Sequence, residues 1–224
     1  MGARRYVRVV SNASIWTYEA RRAGPAALAL PLLGALGVIV AALVAHLAHD
    51  TSPHNQGLTM VRLVSDAFPV TAGLAAAAIV GRERMLELQL SVSTDYASTL
   101  RRRLTVLVAV ALFAAVACVS VLGAQDQWVH PASGMLAVLV PAAPAIMLIG
   151  GGVWAGVRLG SAAAASTTVL GLWLAQLLVL DRLVGVWQLN RALLILAGIG
   201  FLLAARHRLA DSEGLLATAQ RGEQ

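Results

Sequence analysis

Apolar residues along this chain come in six long runs that are separated by short polar segments. A helix needs roughly 20 apolar residues to cross the ~30 Å hydrocarbon core of a bilayer, and the runs approach or exceed that length. The pattern predicts an all-α integral membrane protein with six transmembrane helices, folded as a single domain over residues 1–224. The runs are Pro25–Leu47, Leu58–Val80, Leu104–Gly123, Gly134–Val157, Ala162–Leu180 and Ala192–Ala205, the last of which reaches spanning length if it begins near Gln188.

The composition agrees with a membrane location and excludes several mechanisms. Of all residues 58% are hydrophobic and 12% are charged, whereas soluble domains are about 45–50% apolar. All 17 basic residues are arginine. Without lysine the chain cannot form a phosphate-binding P-loop or a Schiff base. The net charge of +6 comes from arginines at the ends of apolar runs, which indicates contact with lipid head groups and no nucleic acid.

The arginines also predict how the chain is oriented. Fourteen lie in the N-terminal segment, in residues 81–104, in the loop near Arg158 and in the C-terminal tail, all on one side. The opposite side has Arg182 and Arg191, both in the last loop. Arginine-rich short loops remain in the cytoplasm. We therefore expect a multi-pass protein of the inner (plasma) membrane with both termini in the cytoplasm.

The segment Ser11–Arg22 precedes the first apolar run and combines aromatic and basic residues. Tryptophan and tyrosine favour the lipid–water boundary, and arginine pairs with phosphate head groups. We expect an N-terminal interfacial helix that lies flat on the membrane; a disordered arginine-rich leader is the alternative. The anchoring residues would be Trp16, Tyr18, Arg21 and Arg22.

Small residues within the runs predict where helices approach each other, because helices in lipid associate through close packing. Pro141 and Pro144 in the fourth run each lack a backbone donor, and three glycines follow at Gly150–Gly152. We expect that helix to be bent or locally irregular. The predicted contact faces contain Gly34, Gly37, Gly73, Ala75–Ala78 and Ser161–Ser166.

Polar residues inside the runs are few. Asp66 lies well inside the second run, where an acidic residue usually marks a polar cavity or pathway. Arg62 precedes it by one helical turn, so that a self-neutralised pair is the alternative. Gln176 in the fifth run is expected to bond to a neighbouring helix. We take Asp66 as the candidate pathway residue.

The sequence offers no catalytic constellation. It contains no serine-hydrolase elbow, no HExxH motif and no paired carboxylates. His46, His49 and His54 cluster near Asp50, but a third firm ligand is missing and we predict no metal site. The single cysteine, Cys118, lies within an apolar run and is expected to be a buried structural residue. The chain is therefore not expected to be an enzyme or to bind a cofactor itself.

The segment Gly81–Leu104, which we call the bridge, joins the second and third runs. It carries five arginines and three acidic residues, and charges at this density must lie outside the hydrocarbon. Met85, Leu86 and Leu90 can share one face of a helix, and Glu83 and Glu87 an adjacent face. Such a helix can insert apolar side chains into a groove of a soluble partner; a solvated helix resting on lipid is the alternative.

This layout resembles the permease subunits of type-2 ABC exporters. The resemblance is carried by six spans, a flat N-terminal helix, and a bridge that reads Glu83-Arg84, Leu86–Leu90, Ser91-Val92-Ser93 and Arg101–Arg103. Met85-Leu86 and Val92 replace the Gly-Thr and proline that the family often has at these places. The segment Asp181–Arg191 is also short for the small re-entrant helices found there.

The resemblance implies a function and partners. The chain would be the membrane-spanning subunit of an ATP-driven exporter of a hydrophobic or amphiphilic substrate. It would dimerise with a second copy or a similar permease and bind a cytosolic ABC ATPase dimer that holds ATP and Mg. The bridge would form a cytoplasmic coupling helix, and the residues expected to couple to the ATPase are Glu83, Arg84, Glu87 and Leu90. A secondary transporter or membrane sensor working without an ATPase is the alternative, and a small intramembrane enzyme is a further one.

Overall fold

The computed structural model describes residues 24–48, 53–87 and 96–222. Within these ranges the chain is helical, and six helices are long and apolar enough to cross a membrane. We number them spans 1 to 6. They are Pro25–Leu47, His54–Gly81, Thr99–Ala124, Gly134–Leu159, Ala162–Leu183 and Trp187–Leu209.

The six predicted runs are thus confirmed as helices, with ends that differ by a few residues. The largest differences are in spans 3 and 6, which begin at Thr99 and Trp187 and not at Leu104 and Ala192. The sixth run gains its length from the residues that precede it, as expected. Several helices extend beyond the apolar spans. The helical segments are Pro25–Ala48, Pro53–Arg62, Leu63–Ala67, Phe68–Glu87, Tyr96–Ala124, Gly134–Val138, Leu139–Leu159, Ala162–Ala175, Gln176–Leu180, Asp181–Leu183 and Trp187–Gly222.

Span 4 lies at the centre of the bundle. In the most apolar stretch of span 4, 78% of the residues are buried inside the protein, whereas the corresponding shares are 17% in span 5 and 22% in span 6. It packs against spans 2, 5 and 6, while span 1 packs against spans 2 and 3. A helix that is apolar on all sides is best accommodated in this central place, where each face meets another helix.

Glycines set the closest approaches between spans. A Cβ atom on Gly73 would lie 2.7 Å from a methyl group of Val169 in span 5, and one on Gly34 would lie 2.6 Å from the hydroxyl oxygen of Thr71 in span 2. These two positions confirm the predicted contact faces. Gly37 differs, because open space surrounds its Cβ position and the residue is exposed.

The expected irregularity of span 4 lies at its beginning. The span opens with a 3-10 turn over Gly134–Val138 and then continues as one α-helix from Leu139 to Leu159. The α-helix is therefore uninterrupted through Pro141, Pro144 and Gly150–Gly152. These glycines instead leave room for neighbours: a Cβ on Gly152 would lie 3.0 Å from the carbonyl oxygen of Gly73.

Tight connections join the spans at both ends of the bundle. Span 3 ends in a Schellman motif, in which the amide of Gln127 donates to the carbonyl of Leu122 and Asp126 has a φ of 56°. Between spans 4 and 5, Gly160 has a φ of 70° and the hydroxyl of Ser161 caps the next helix by accepting from the amide of Ala164.

The bridge is described only in part. The helix of span 2 continues to Glu87, and the helix of span 3 begins at Tyr96. Residues 88–95 lie outside the described residues, as does the predicted interfacial helix Ser11–Arg22. A separate coupling helix therefore stays a prediction.

Candidate functional site

Asp66 lies in a widened turn of span 2. Residues Leu63–Ala67 form a π-helical segment, and the amide of Phe68 donates to the carbonyl of Leu63, five residues earlier. The next residue, Pro69, has no N–H group, and its ring would clash with the carbonyl of Ser65 in a regular α-helix. The proline thus explains the widening. Such π-bulges occur frequently at functional sites.

The widened turn makes one contact with span 5. The indole nitrogen of Trp173 donates to the backbone carbonyl of Asp66 over 2.8 Å. Beside it, the Ser65 hydroxyl donates to a carboxylate oxygen of Asp66 over 2.9 Å. The backbone carbonyl of Asp66 is therefore bonded to span 5, and its carboxylate is bonded to the adjacent residue, Ser65.

A second π-helical segment, Gln176–Leu180, lies in span 5 just beyond Trp173. Gln176 is 2% exposed, and neither its amide nitrogen nor its carbonyl oxygen has a partner within the described protein. Leaving such a group unpaired costs roughly 1–3 kcal/mol, so buried amides usually bond to a water molecule or a ligand. The expectation that Gln176 bonds to a neighbouring helix is wrong for the described residues.

A third group of polar residues joins the ends of spans 5 and 6. The side-chain amide of Asn190 donates to the carboxylate of Asp181 over 2.8 Å. The guanidinium of Arg191 donates to the side-chain carbonyl of Asn190 over 3.2 Å and lies 3.8 Å from Asp181. Arg191 is only 12% exposed, and its Nε has no partner in the described part of the chain.

We call the polar residues of these three groups the polar cluster: Asp66, Gln176, Asp181, Asn190 and Arg191. The carboxylate of Asp66 lies within electrostatic range of both Arg191 and Asp181. The guanidinium of Arg62 also acts on the carboxylate of Asp66, so two carboxylates and two guanidinium groups balance when all four are ionised. An acidic residue within a span commonly belongs to a pathway for protons or ions.

The loop between spans 3 and 4 contributes a histidine at the same end of the bundle. The ring of His130 meets Trp187 edge to face, with centroids 5.4 Å apart, and its Nδ1 accepts a hydrogen bond from the amide of Ala132. Burial, and secondly the positive charge of Arg191, lower the pKa of His130. A ring nitrogen that accepts a hydrogen bond carries no proton, so the bond from Ala132 requires the neutral ring. The lowered pKa also favours the neutral ring.

The structure places the predicted pathway residue, Asp66, in this cluster. The charge of Arg62 reaches the carboxylate of Asp66, but the two side chains do not form an ion pair. The described ion pairs do not include Arg62, whose side chain is exposed, while Asp66 has Ser65 as its partner. Sequence reasoning missed Asp181, Asn190 and Arg191, which it assigned to an external loop. The signal that could have revealed them is an acid and a base ten residues apart, Asp181 and Arg191, which flank the short connection between two spans.

The predicted coupling and anchor residues are described incompletely. Glu83, Arg84 and Glu87 belong to the helix that continues span 2, and nothing is described of their side chains. Leu90 lies outside the described residues. The same applies to the anchor residues Trp16, Tyr18, Arg21 and Arg22.

No site for a metal ion is seen among the described side chains, where no group of three or more metal-ligating residues is close together. Of the histidines around the connection between spans 1 and 2, His46 and His54 are described, while His49 and the nearby Asp50 are not. Cys118 is buried, and its thiol lies 3.8 Å from the carbonyl of Ala35 in span 1.

Three comparisons with known proteins give no relative. No family model matches the chain, and neither a curated protein nor a solved structure is significantly similar to it.

Proposed function

We propose that this chain is the membrane-spanning subunit of an ATP-driven exporter, and that a separate ATPase docks on the bridge. The observation that carries the proposal is the helix Phe68–Glu87, which links the bridge to the polar cluster without interruption. Asp66 lies directly before this helix, and Glu83 and Glu87 lie in its last turns. At 1.5 Å per residue the link from Asp66 to Glu87 is about 30 Å long.

A helix of this kind supports mechanical coupling. Span 2 packs on the central span 4 along much of its length, so a displacement applied at Glu83–Glu87 would move a packed rigid element. The polar cluster lies at the other end of that element, between spans 2, 5 and 6. Movement of the bridge would then change the distance between Asp66 and the pair formed by Asp181 and Arg191.

The remaining features of the proposal rest on composition and on the resemblance in layout. The absence of lysine means that the ATP-binding P-loop must be on a partner. A dimer of this chain, or a pair with a similar permease, would bind two ATPase copies in the cytoplasm. The cargo would be hydrophobic or amphiphilic, since the described spans are lined mostly by apolar side chains. The bilayer would be the inner (plasma) membrane, with both termini in the cytoplasm.

Co-purification tests the docking. The tagged full-length chain is purified from its native membrane in mild detergent, and an ATPase that contains a P-loop is sought by mass spectrometry. We expect Glu87→Arg and Leu90→Asp to lose that subunit. Glu213→Arg, the same charge reversal in the C-terminal tail, should retain it. Loss of the ATPase from all three variants, or no ATPase with the unmodified chain, would contradict the proposal.

The polar cluster favours a second candidate, which is ion-coupled transport without an ATPase. An acidic residue within a span and a buried amide without partners among the described residues together suit a site for a proton or a small cation. Proteoliposomes that contain only this chain distinguish the two functions. Cargo uptake driven by an ion gradient, and abolished by Asp66→Asn, would establish the second function; no uptake without ATPase would favour the first.

A further inference from the structure

A cleft opens between spans 3, 4 and 6 at the end of the bundle where the bridge leaves the membrane. Its volume is about 560 Å³, within the range of about 300–1,000 Å³ that is usual for ligand pockets. Its walls are mainly apolar. They include Leu104, Val108, Ile149, Val153, Leu202 and Leu203.

Two arginines stand at the mouth of this cleft. Arg101 comes from the beginning of span 3 and Arg206 from the end of span 6, and both side chains are exposed. Neither guanidinium forms an ion pair with any acidic side chain in the described parts of the chain. The cleft therefore combines an apolar interior with two positive charges that have no acidic partner among the described side chains.

The shape of the bundle keeps the cleft open on its lipid side. Spans 3 and 6 barely touch each other, and each packs mainly on other helices. Leu203 lines the cleft and is 58% exposed, so this wall faces the hydrocarbon. A molecule could enter sideways from the bilayer without crossing a polar barrier.

We propose that this cleft is a binding site for an anionic glycerophospholipid from the adjacent leaflet. The phosphate group would lie between Arg101 and Arg206, and an acyl chain would lie along the apolar walls. From Arg101 to Val108 the cleft follows seven residues of helix, which corresponds to about 10 Å of depth. Arginine at the membrane boundary attracts anionic lipids electrostatically, and burial of methylene groups adds affinity. The site does not depend on the proposed ATPase.

Native mass spectrometry tests the site directly. The full-length chain, freed of endogenous lipid in mild detergent, is offered equal amounts of phosphatidylglycerol and phosphatidylcholine with identical acyl chains. We expect one tightly held phosphatidylglycerol per chain. The double variant Arg101→Gln, Arg206→Gln should lower the affinity for it at least about tenfold. Arg102→Gln, Arg208→Gln removes the same charge from exposed residues that do not line the cleft, and it should bind normally.

A second pair of variants tests the apolar part. Leu203→Trp places an indole in the cleft and should reduce binding, whereas Leu196→Trp, two turns earlier on the same exposed face, should not. Both residues are exposed, so the fold tolerates either change, and unchanged helicity would confirm it. Equal retention of both lipids, or equal losses in the two arginine double variants, would overturn the proposal. A change from dimer to monomer caused by Leu203→Trp would assign the cleft to a second copy of the chain instead.

Discussion

Gly150 and Gly198 bring the backbones of spans 4 and 6 into direct contact. A Cβ atom on Gly198 would lie 2.7 Å from the carbonyl oxygen of Ile146, and one on Gly150 would collide with the carbonyl of Gly198. Real Cβ atoms do not approach backbone oxygens this closely, so neither glycine accepts a side chain unless the helices separate. The contact fixes span 6, and with it Asn190 and Arg191, on the central helix.

We therefore expect Gly198→Ala to lower the free energy of unfolding by about 1–3 kcal/mol, the usual cost of overpacking. Gly200→Ala is the matched control, because nothing lies within 4 Å of its Cβ position; its effect should stay within about 0.5 kcal/mol. Thermal or denaturant unfolding in detergent measures both. Similar losses for the two variants would show that helix flexibility, and not the contact with span 4, determines stability here.

The Trp173 indole is expected to hold spans 2 and 5 together. Trp173→Phe keeps most of the apolar surface but leaves the carbonyl of Asp66 without its donor, which should cost about 1–2 kcal/mol. Trp154→Phe is the control. The Trp154 ring packs against Phe201 at an angle of 41° and lies under Arg158, and its nitrogen forms no hydrogen bond with the described residues. The two variants are compared by unfolding under identical conditions, and equal destabilisation would contradict the assigned role.

Asp126 is expected to be a weak point in the connection after span 3. Its φ of 56° is a conformation that glycine adopts without cost and aspartate does not. Asp126→Gly should therefore raise the free energy of unfolding by about 0.5–1 kcal/mol. Asp126→Ala removes the same carboxylate without relieving the backbone, so it should give no such gain. A gain with alanine equal to that with glycine would mean that the charge, and not the backbone angle, is unfavourable.

His130 should make stability depend on pH. Its pKa in the folded protein lies below the usual 6.5, so below about pH 6.5 the unfolded chain binds the proton more readily than the folded one. Stability is then constant above that pH and falls as the pH decreases towards the folded pKa. His130→Phe should flatten this part of the curve, although it also removes the acceptor for Ala132. Melting temperatures measured from about pH 8 to about pH 5 provide the comparison. An unchanged slope in the variant would assign the dependence to another group.

The six spans could be predicted from the sequence. Exposing polar backbone groups to lipid is costly, so a run of about 20 apolar residues has few alternatives to a spanning helix. Gly34 and Gly73 could be predicted as contact positions because only small residues permit close packing between helices. Asp66 stood out because it is a charge far from either end of its run.

The polar cluster as a whole could not be predicted in this way. Asp181, Asn190 and Arg191 lie near the ends of runs, where a charge can reach water and needs no explanation. Their meeting with Asp66 depends on how spans 2, 5 and 6 pack around span 4, and the spacing of residues in one helix contains no information about that. The π-bulge that contains Asp66 did have a signal in the sequence, Pro69, which has no backbone donor.

The widened turn of span 2 determines where the carboxylate of Asp66 lies around the helix axis. It inserts in effect one extra residue into span 2, and a regular helix rotates by about 100° per residue. If residue 69 could donate its amide and the helix became regular, Asp66 would swing around the axis, away from Trp173 and Arg191. Phe68 and the residues after it would keep their places against span 4. An uncharged residue, Pro69, thus sets the direction in which the acid of span 2 points.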